Sequence, residues 1–265
     1  MAVLLVVDVG NSTIHLGLFS GEKLSYRYRM PAFPHHTEQW YSKEIKGFLS
    51  RHSITLPLKG VIIASVVTEL TGVLLGAIRG LSREAPLVVD ATLDTGFSFE
   101  VSHPEEIGAD RIADMVAALK MFGQTAIVVD FGTATTISIV KDLRFKGGAI
   151  LPGVWLMSES LHRRTSKLPY LDSVTIDGDR GNRISAIGRD TIRCMVSGII
   201  YGTAGAVERI IAETEHEEGC PFDMVITGGY ASAIAPVLTR RFTLEPDLAF
   251  KGLKIIYERN IRCTS

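Results

Sequence analysis

Cysteine is scarce in this sequence: Cys194, Cys220 and Cys263 are the three in 265 residues, and none stands in a CxxC spacing. That argues against a disulfide framework or a cysteine-built zinc site, and fits a reducing, cytoplasmic compartment. An excess of either charge is missing too. Lys and Arg number 28 against 29 Asp and Glu, for a formal net charge of −1. No general electrostatic pull toward nucleic acid or an anionic membrane is expected from that balance. The cluster His162, Arg163, Arg164 and Lys167 reads as a solvated face. Long hydrophobic runs are absent as well. The apolar start LLVV meets Asp8 almost at once, too early for a signal peptide or a bilayer span, and no membrane partner is expected. There is no GxxxxGK[ST] loop, no protein-kinase motif set, no GxSxG elbow and no HExxH.

What is there is an alternation of apolar runs and helical periodicities. Ala2–Val7, Gly60–Val67, Pro86–Asp90, Ala126–Asp130 and Asp223–Thr227 read as buried strands, and Thr13–Phe19, Thr135–Lys141 and Gly147–Leu151 as further strands. Helices are expected over Glu38–His52, Leu70–Leu81, Ile112–Met121, Val154–Leu161, Ile187–Glu213 and Ser232–Arg240. The series Gly198, Gly202 and Gly205 within one of them predicts close packing of small residues.

An internal repeat organises these elements. Val6-Val7-Asp8-x-Gly10-x-x-Thr13 matches Val128-Val129-Asp130-x-Gly132-x-x-Thr135, each copy ending a strand, turning on glycine and entering a second strand. A duplicated α/β domain with a cleft between its halves follows, divided into residues 1–115 and 116–265.

The repeat also carries the chemistry. Asp8 and Asp130 fall at the carboxyl ends of strands, where α/β sheets bind ligands, and hydroxyls and an amide follow them: Asn11, Ser12 and Thr13, then Thr133, Thr135 and Thr136. Backbone N–H groups of such turns cradle phosphate oxygens, while a carboxylate approaches phosphate only through a cation, ordinarily Mg²⁺. The bland reading of one such loop is a side chain capping its own turn; two matched copies favour a metal–phosphate clamp. Gly108-Ala109-Asp110-Arg111 opens an expected helix. Asp110 there is either an N-cap or a proton acceptor for a hydroxyl, with Arg111 placed to fork an anionic group. Gly147-Gly148-x-x-x-Pro152-Gly153 and Thr227-Gly228-Gly229 are weaker signals, each common as a plain turn.

Taken together, the motifs resemble the superfamily of acetate and sugar kinases, heat-shock chaperone ATPases and actin, and within it the type III pantothenate kinases. DxGN[ST], GxDR, DxGTA, GGxxxPG and TGG stand in order at Asp8–Ser12, Gly108–Arg111, Asp130–Ala134, Gly147–Gly153 and Thr227–Gly229, across nearly the whole chain. The resemblance implies two actin-like (ribonuclease H-like) domains of mixed sheets flanked by helices, with a nucleotide cleft between them. It implies ATP-dependent phosphorylation of pantothenate, the first step of coenzyme A biosynthesis, by a homodimer. Asp8, Val9, Gly10, Asn11, Ser12, Thr13, Ile14 and His15 would form the first phosphate loop, and Thr133 would touch ATP. Asp110 would be the catalytic base. Val101, Gly108, Ala109, Asp110, Arg111 and Thr191 would bind substrate. Asp130 would lie near a monovalent cation, potassium or ammonium, beside the Mg²⁺ of ATP. The chain departs from the family pattern at Val101 (usually tyrosine), Asp114 and Asp190 (usually asparagine) and Ser138 (usually aspartate). Two other readings stay open: a non-catalytic nucleotide-binding regulator, or a kinase of another small hydroxy acid.

Overall fold

The computed structural model describes residues 3–172 and 184–261; Cys263 lies outside them. The chain packs as two compact units, Met1–Lys120 with Leu248–Ser265, and Met121–Asp247. Against the expected split at 115/116, the last segment of the chain returns to the first unit.

In the first unit the strands are β1 (Val3–Val9), β2 (Thr13–Ser20), β3 (Lys23–Pro31), β4 (Gly60–Ser65), β5 (Leu87–Val88) and the two-residue β6 (Ser98–Phe99). Its helices are α1 (Glu38–Arg51), α2 (Thr68–Ile78), α3 (Ala109–Phe122) and, after the second unit, α7 (Leu248–Ile261). The sheet order is β3-β2-β1-β4-β5. β1 runs antiparallel to β2 and parallel to β4, so the sheet is mixed.

Alternation along β1 assigns its two faces. Val3, Leu5, Val7 and Val9 enter a core with Tyr41, Ile45 and Phe48 of α1 and Leu70 and Leu74 of α2. Leu4 and Val6 enter a second core with Ile112, Ala113 and Val116 of α3 and Phe250, Leu253 and Ile256 of α7. Burial on both faces is why β1 reads as an unbroken apolar run. Each such side chain contributes about 1.5–3 kcal/mol when fully buried. α1 starts where Thr37 Oγ1 accepts the Trp40 N–H at 3.3 Å, an N-cap worth about 1 kcal/mol.

The second unit repeats the first. β7 (Ala126–Phe131), β8 (Ala134–Lys141) and β9 (Arg144–Pro152) form an antiparallel meander, and β10 (Met224–Thr227) joins β7 in parallel. With β11 (Thr243–Leu244) the order runs β11-β10-β7-β8-β9, the same path as in the first unit. The helices are α4 (Val154–Arg164), α5 (Thr191–Glu218) and the single-turn α6 (Ala231–Ile234). α5, at 28 residues, has the length and hydropathy of a bilayer span. Met195, Ile199, Ile200, Val207 and Ile211, however, are buried in this unit's core beside Ile127, Val129 and Phe131.

Other expectations need correction as well. The strands β3, β6 and β11 and the helix α7 are elements beyond those expected. The region expected as a helix over Ser232–Arg240 is instead α6 followed by a short 3₁₀ turn, Ala235–Val237. The helix expected from Ile187 begins at Thr191, because Asp190 is extended and its carboxylate caps the Arg193 N–H at 2.8 Å. Finally, Gly198, Gly202 and Gly205 pack against no other described element of this chain: all are exposed, and a Cβ on any of them would meet nothing within 4 Å.

Candidate active site

The first loop joins β1 to β2. Asp8 is half-buried at the end of β1, between His15 on β2 and Ala64 on β4. The turn closes when the Gly10 N–H donates to the Thr13 carbonyl at 3.0 Å, leaving Asn11 and Ser12 exposed. The Ser12 carbonyl accepts from the Ala32 N–H at 3.1 Å, which ties the loop to the end of β3. Ile14 is fully buried and anchors the loop from below, while Val9 does the same from β1. His15 is half-buried, and its pKa is lowered below 6.5 by burial first and by the nearby Arg29 charge second, so it is neutral at pH 7.

Asp110 reaches the same end of the same sheet. The Val66 N–H donates to the Val9 carbonyl at 3.0 Å, extending the β1–β4 ladder. A Cβ on Gly108 would lie 3.3 Å from Val66 Cγ1 and would collide with Asp110 Oδ1. Glycine at 108 therefore lets the Asp110 carboxylate fold back over the start of α3, next to the strand ends that carry Asp8. α3 is held there by Ala109, Ile112, Ala113 and Val116. The helix starts at Ala109, earlier than expected, so Asp110 sits within the first turn. Its Oδ1 accepts the Arg111 N–H at 2.7 Å. Burial raises the Asp110 pKa above 3.8, against the opposing pull of that N–H and the Arg111 charge. Arg111 is half-buried, with its pKa lowered chiefly by burial. Asp114 is buried one turn further along α3. Val101 is half-buried in the stretch before the Pro104–Glu106 turn.

The second loop, in the other unit, is built differently. Asp130 is half-buried at the end of β7, between Thr136 on β8 and Thr227 on β10. The Gly132 N–H donates to the Ala134 carbonyl at 3.2 Å, and Thr133 is half-buried at the tip. The two weaker glycine motifs both pack onto this loop. A Cβ on Gly153 would overlap the Thr133 carbonyl oxygen. One on Gly228 would overlap Asp130 Oδ1 and stand 2.7 Å from the Phe131 nitrogen. Gly228 also has φ +95, which side-chain-bearing residues rarely adopt. Ser138 is buried on β8, opposite Val128 and Gly148. Thr191 is exposed at the start of α5.

The structure thus gathers Asp8–His15 and Gly108–Arg111 at one sheet end of the first unit. Asp130, Thr133 and Thr191 belong to the second. Sequence reasoning passed over β3, whose register places Arg29 directly opposite His15. The signal was available: a turn at Ser20-Gly21-Glu22 followed by alternating Tyr26, Arg27, Tyr28 and Arg29.

A family model described as type III pantothenate kinase matches residues 4–213. The chain belongs to the type III pantothenate kinase family. It is 38% identical over 260 residues to the type III pantothenate kinase of Moorella thermoacetica, covering 97% of this chain and 100% of that one. With the type III pantothenate kinase of Geobacter sulfurreducens it shares 39% identity over 261 residues, 97% and 99% of the two chains. Among solved structures it is similar to the ethanolamine utilization protein EutJ from Carboxydothermus hydrogenoformans. The TM-score is 0.58 at 15% identity, covering 97% of this chain and 90% of that one. It is also similar to MreB 5 of Spiroplasma citri bound to AMPPNP, with TM-score 0.59 at 12% identity over 100% and 99%. At such identities the likeness speaks for the fold alone: this family member has the two-domain actin-like fold, with mixed sheets flanked by helices.

Proposed function

We propose that this protein is an ATP-dependent pantothenate kinase that forms 4'-phosphopantothenate, the entry step of coenzyme A biosynthesis. The observation that carries the reading is Asp110: a half-buried carboxylate, raised in pKa by burial and held at the Asp8 end of the first unit's sheet. Its setting suits a proton acceptor for an alcohol. Phosphoryl transfer asks the protein mainly for alignment and charge neutralisation. Asp110 orients the pantothenate hydroxyl and takes its proton as the new bond forms. The raised pKa brings the carboxylate closer to its working pH. Gly108, Ala109 and Val101 shape the acceptor's seat, and Arg111 pairs with its carboxylate.

The loop geometry fits a nucleotide polyphosphate with a divalent ion. A Cβ at Gly10 or Gly132 would fall 3.3 Å from the Thr13 carbonyl oxygen or Asp130 Oδ2, so both turns are tight at the bend. The residues Asp8 to His15 would hold phosphates through backbone N–H and hydroxyl groups, and the loop of Thr133 in the second unit offers groups of the same kind. Mg²⁺ carried by ATP would be oriented through its waters by Asp8, lowering the charge on the transferring group. Asp130, flanked by Thr136 and Thr227, supplies a carboxylate and hydroxyls, a hard oxygen set suited to potassium or ammonium. Further parts of the same reading are a cytoplasmic location, a homodimeric state, and freedom from nucleic-acid or membrane partners.

The test is ADP release by the purified chain, coupled to a spectroscopic readout, across pantothenate and several other small hydroxy acids. Turnover confined to pantothenate is the expected result. Turnover with a different acid, or nucleotide binding without turnover, would replace the assignment with one of the other two readings.

A further inference from the structure

The row of side chains beside Asp8 ends on a cation that the site described above does not use. Asp8 faces His15 across β1 and β2, and His15 faces Arg29 across β2 and β3. Directly opposed residues project from the same face of a sheet, so the three side chains form one row. Leu4 and Val6 share that face through the alternation of β1, and it is the face on which α3 packs. Two residues further along β2, the position of Gly17 is covered by Phe250 of α7. The Asp8–His15–Arg29 row lies beyond that cover, toward the strand ends and the loop.

Arg29 is exposed, and its Nη2 donates to Thr13 Oγ1 at 3.2 Å. Among the described residues it forms no ion pair. A guanidinium has five N–H donors in a rigid fork, so most of its capacity faces solvent. Ser12, Thr13, Arg29, Met30 and Pro31 line an open depression of about 300 Å³ beside the loop. The carboxylate of an acceptor already has Arg111 in this unit, whereas Arg29 adjoins the turn that presents backbone N–H groups. β3 is also an edge strand, and charged residues on an edge commonly do no more than discourage strand pairing. The tether to Thr13 argues for more, since a plain edge guard does not need to be aimed at the loop.

We propose that Arg29 is a polyphosphate-binding residue of the nucleotide site, its guanidinium closing the open side of the first loop over the terminal phosphates. The proposal rests on the nucleotide reading given above. It separates Arg29 from a general surface charge by demanding dependence on phosphate number.

The experiment is calorimetric binding of Mg-ATP, Mg-ADP and AMP to the full chain, for wild type, Arg29→Gln, Arg29→Lys and Lys46→Gln, the last removing an exposed charge on α1. Arg29→Gln should weaken ATP roughly 10- to 100-fold, the range for hydrogen bonds to charged groups, ADP less, and AMP hardly at all. Arg29→Lys should recover part of the loss and Lys46→Gln should match wild type. In steady state, KM for ATP should rise while KM for pantothenate holds. Arg29→Gln binding ATP within about twofold of wild type, or losing ATP and AMP equally, overturns the proposal and leaves the kinase assignment standing. Wild type that binds ATP but does not phosphorylate pantothenate sinks the assignment while the Arg29 result is read independently. Wild type that binds no ATP overturns both.

Discussion

The β1–β2 and β7–β8 hairpins share one path through their sheets and differ in what surrounds their loops. Asp8 pairs with His15 but Asp130 pairs with Thr136, so the first loop is one residue longer. The sequence match of Thr13 with Thr135 is therefore out of step with the structure: Ile14 is the true counterpart of Thr135, and His15 of Thr136. The side chains differ accordingly. Beside Asp8 the row continues through His15 to Arg29; beside Asp130 it continues through Thr136 to Ile150. The packing differs too. Gly153 and Gly228 press on the second loop, while Ala32 and Ser65 take the corresponding places beside the first. The frame repeats, and the two copies divide into an open charged loop and a tightly packed one.

The largest test of that division is Asp110→Asn. With the acceptor chemistry placed beside the first loop, kcat should fall about 10²- to 10⁴-fold, the usual range for a general base, while ATP affinity survives. Unchanged turnover would remove Asp110 from the reaction. The same variant should unfold at a higher temperature at pH 7. The sign follows from linkage: the folded-state pKa of Asp110 is raised, so stability is full below the unfolded value and lost as pH rises through the folded one. At neutral pH ionised Asp110 thus costs stability, and asparagine relieves that cost while still accepting the Arg111 N–H. A lowered melting temperature would show that the charge is better compensated than its burial implies.

Next in size is a pair of glycine substitutions. Gly228→Ala adds a Cβ that overlaps Asp130, at a positive φ, and should cost about 3 kcal/mol of stability. Gly10→Ala meets only the Thr13 carbonyl oxygen at 3.3 Å, with no positive φ, and should change stability by about 1 kcal/mol or less. It should instead weaken ATP binding, because the proposed site brings the nucleotide to this bend. Denaturant unfolding and nucleotide titration of both variants check this. Equal stability losses would erase the contrast between an open and a packed loop.

These two substitutions also mark what was legible in the sequence. The paired motifs showed the duplication, because a buried strand ending in Asp-x-Gly is a local signal. The one-residue offset was not legible, since only strand register reveals it. β3 was missed because it is an edge strand with a largely exposed, polar sequence. α7 was missed because Gly252 interrupts a mixed stretch; a Cβ there would collide with the Ala113 carbonyl oxygen, so the glycine serves helix–helix contact with α3. The weak glycine motifs could not be weighed without knowing which backbone they press against. Likewise, the nearness of Asp110 to the Asp8 end depends on how α3 lies on the sheet, and no spacing along the chain encodes that.

A smaller effect concerns pH. The proposed base must be ionised, and burial holds its pKa above 3.8. The acid limb of kcat/KM should therefore fall tenfold per pH unit below a midpoint raised from the ordinary aspartate value. A limb at the ordinary value would mean that another carboxylate limits the rate.

The smallest expected effect probes the comparison inside the cores. Ile14 of the first hairpin is fully buried and purely apolar. Its counterpart Thr135 is equally buried, yet its hydroxyl has no hydrogen-bond partner among the described residues. A buried hydroxyl left unsatisfied gives up its hydration for nothing. Valine has the same shape without that group, so Thr135→Val should raise stability by about 1 kcal/mol, read from the denaturant midpoint at constant slope. ATP affinity should not change, because Thr135 alternates away from the Asp130 and Thr136 face of β8. If Thr135→Val instead lowers stability or weakens ATP, the hydroxyl serves the second loop in a way that Ile14 does not serve the first. The two hairpins would then differ in their cores as well as at their tips.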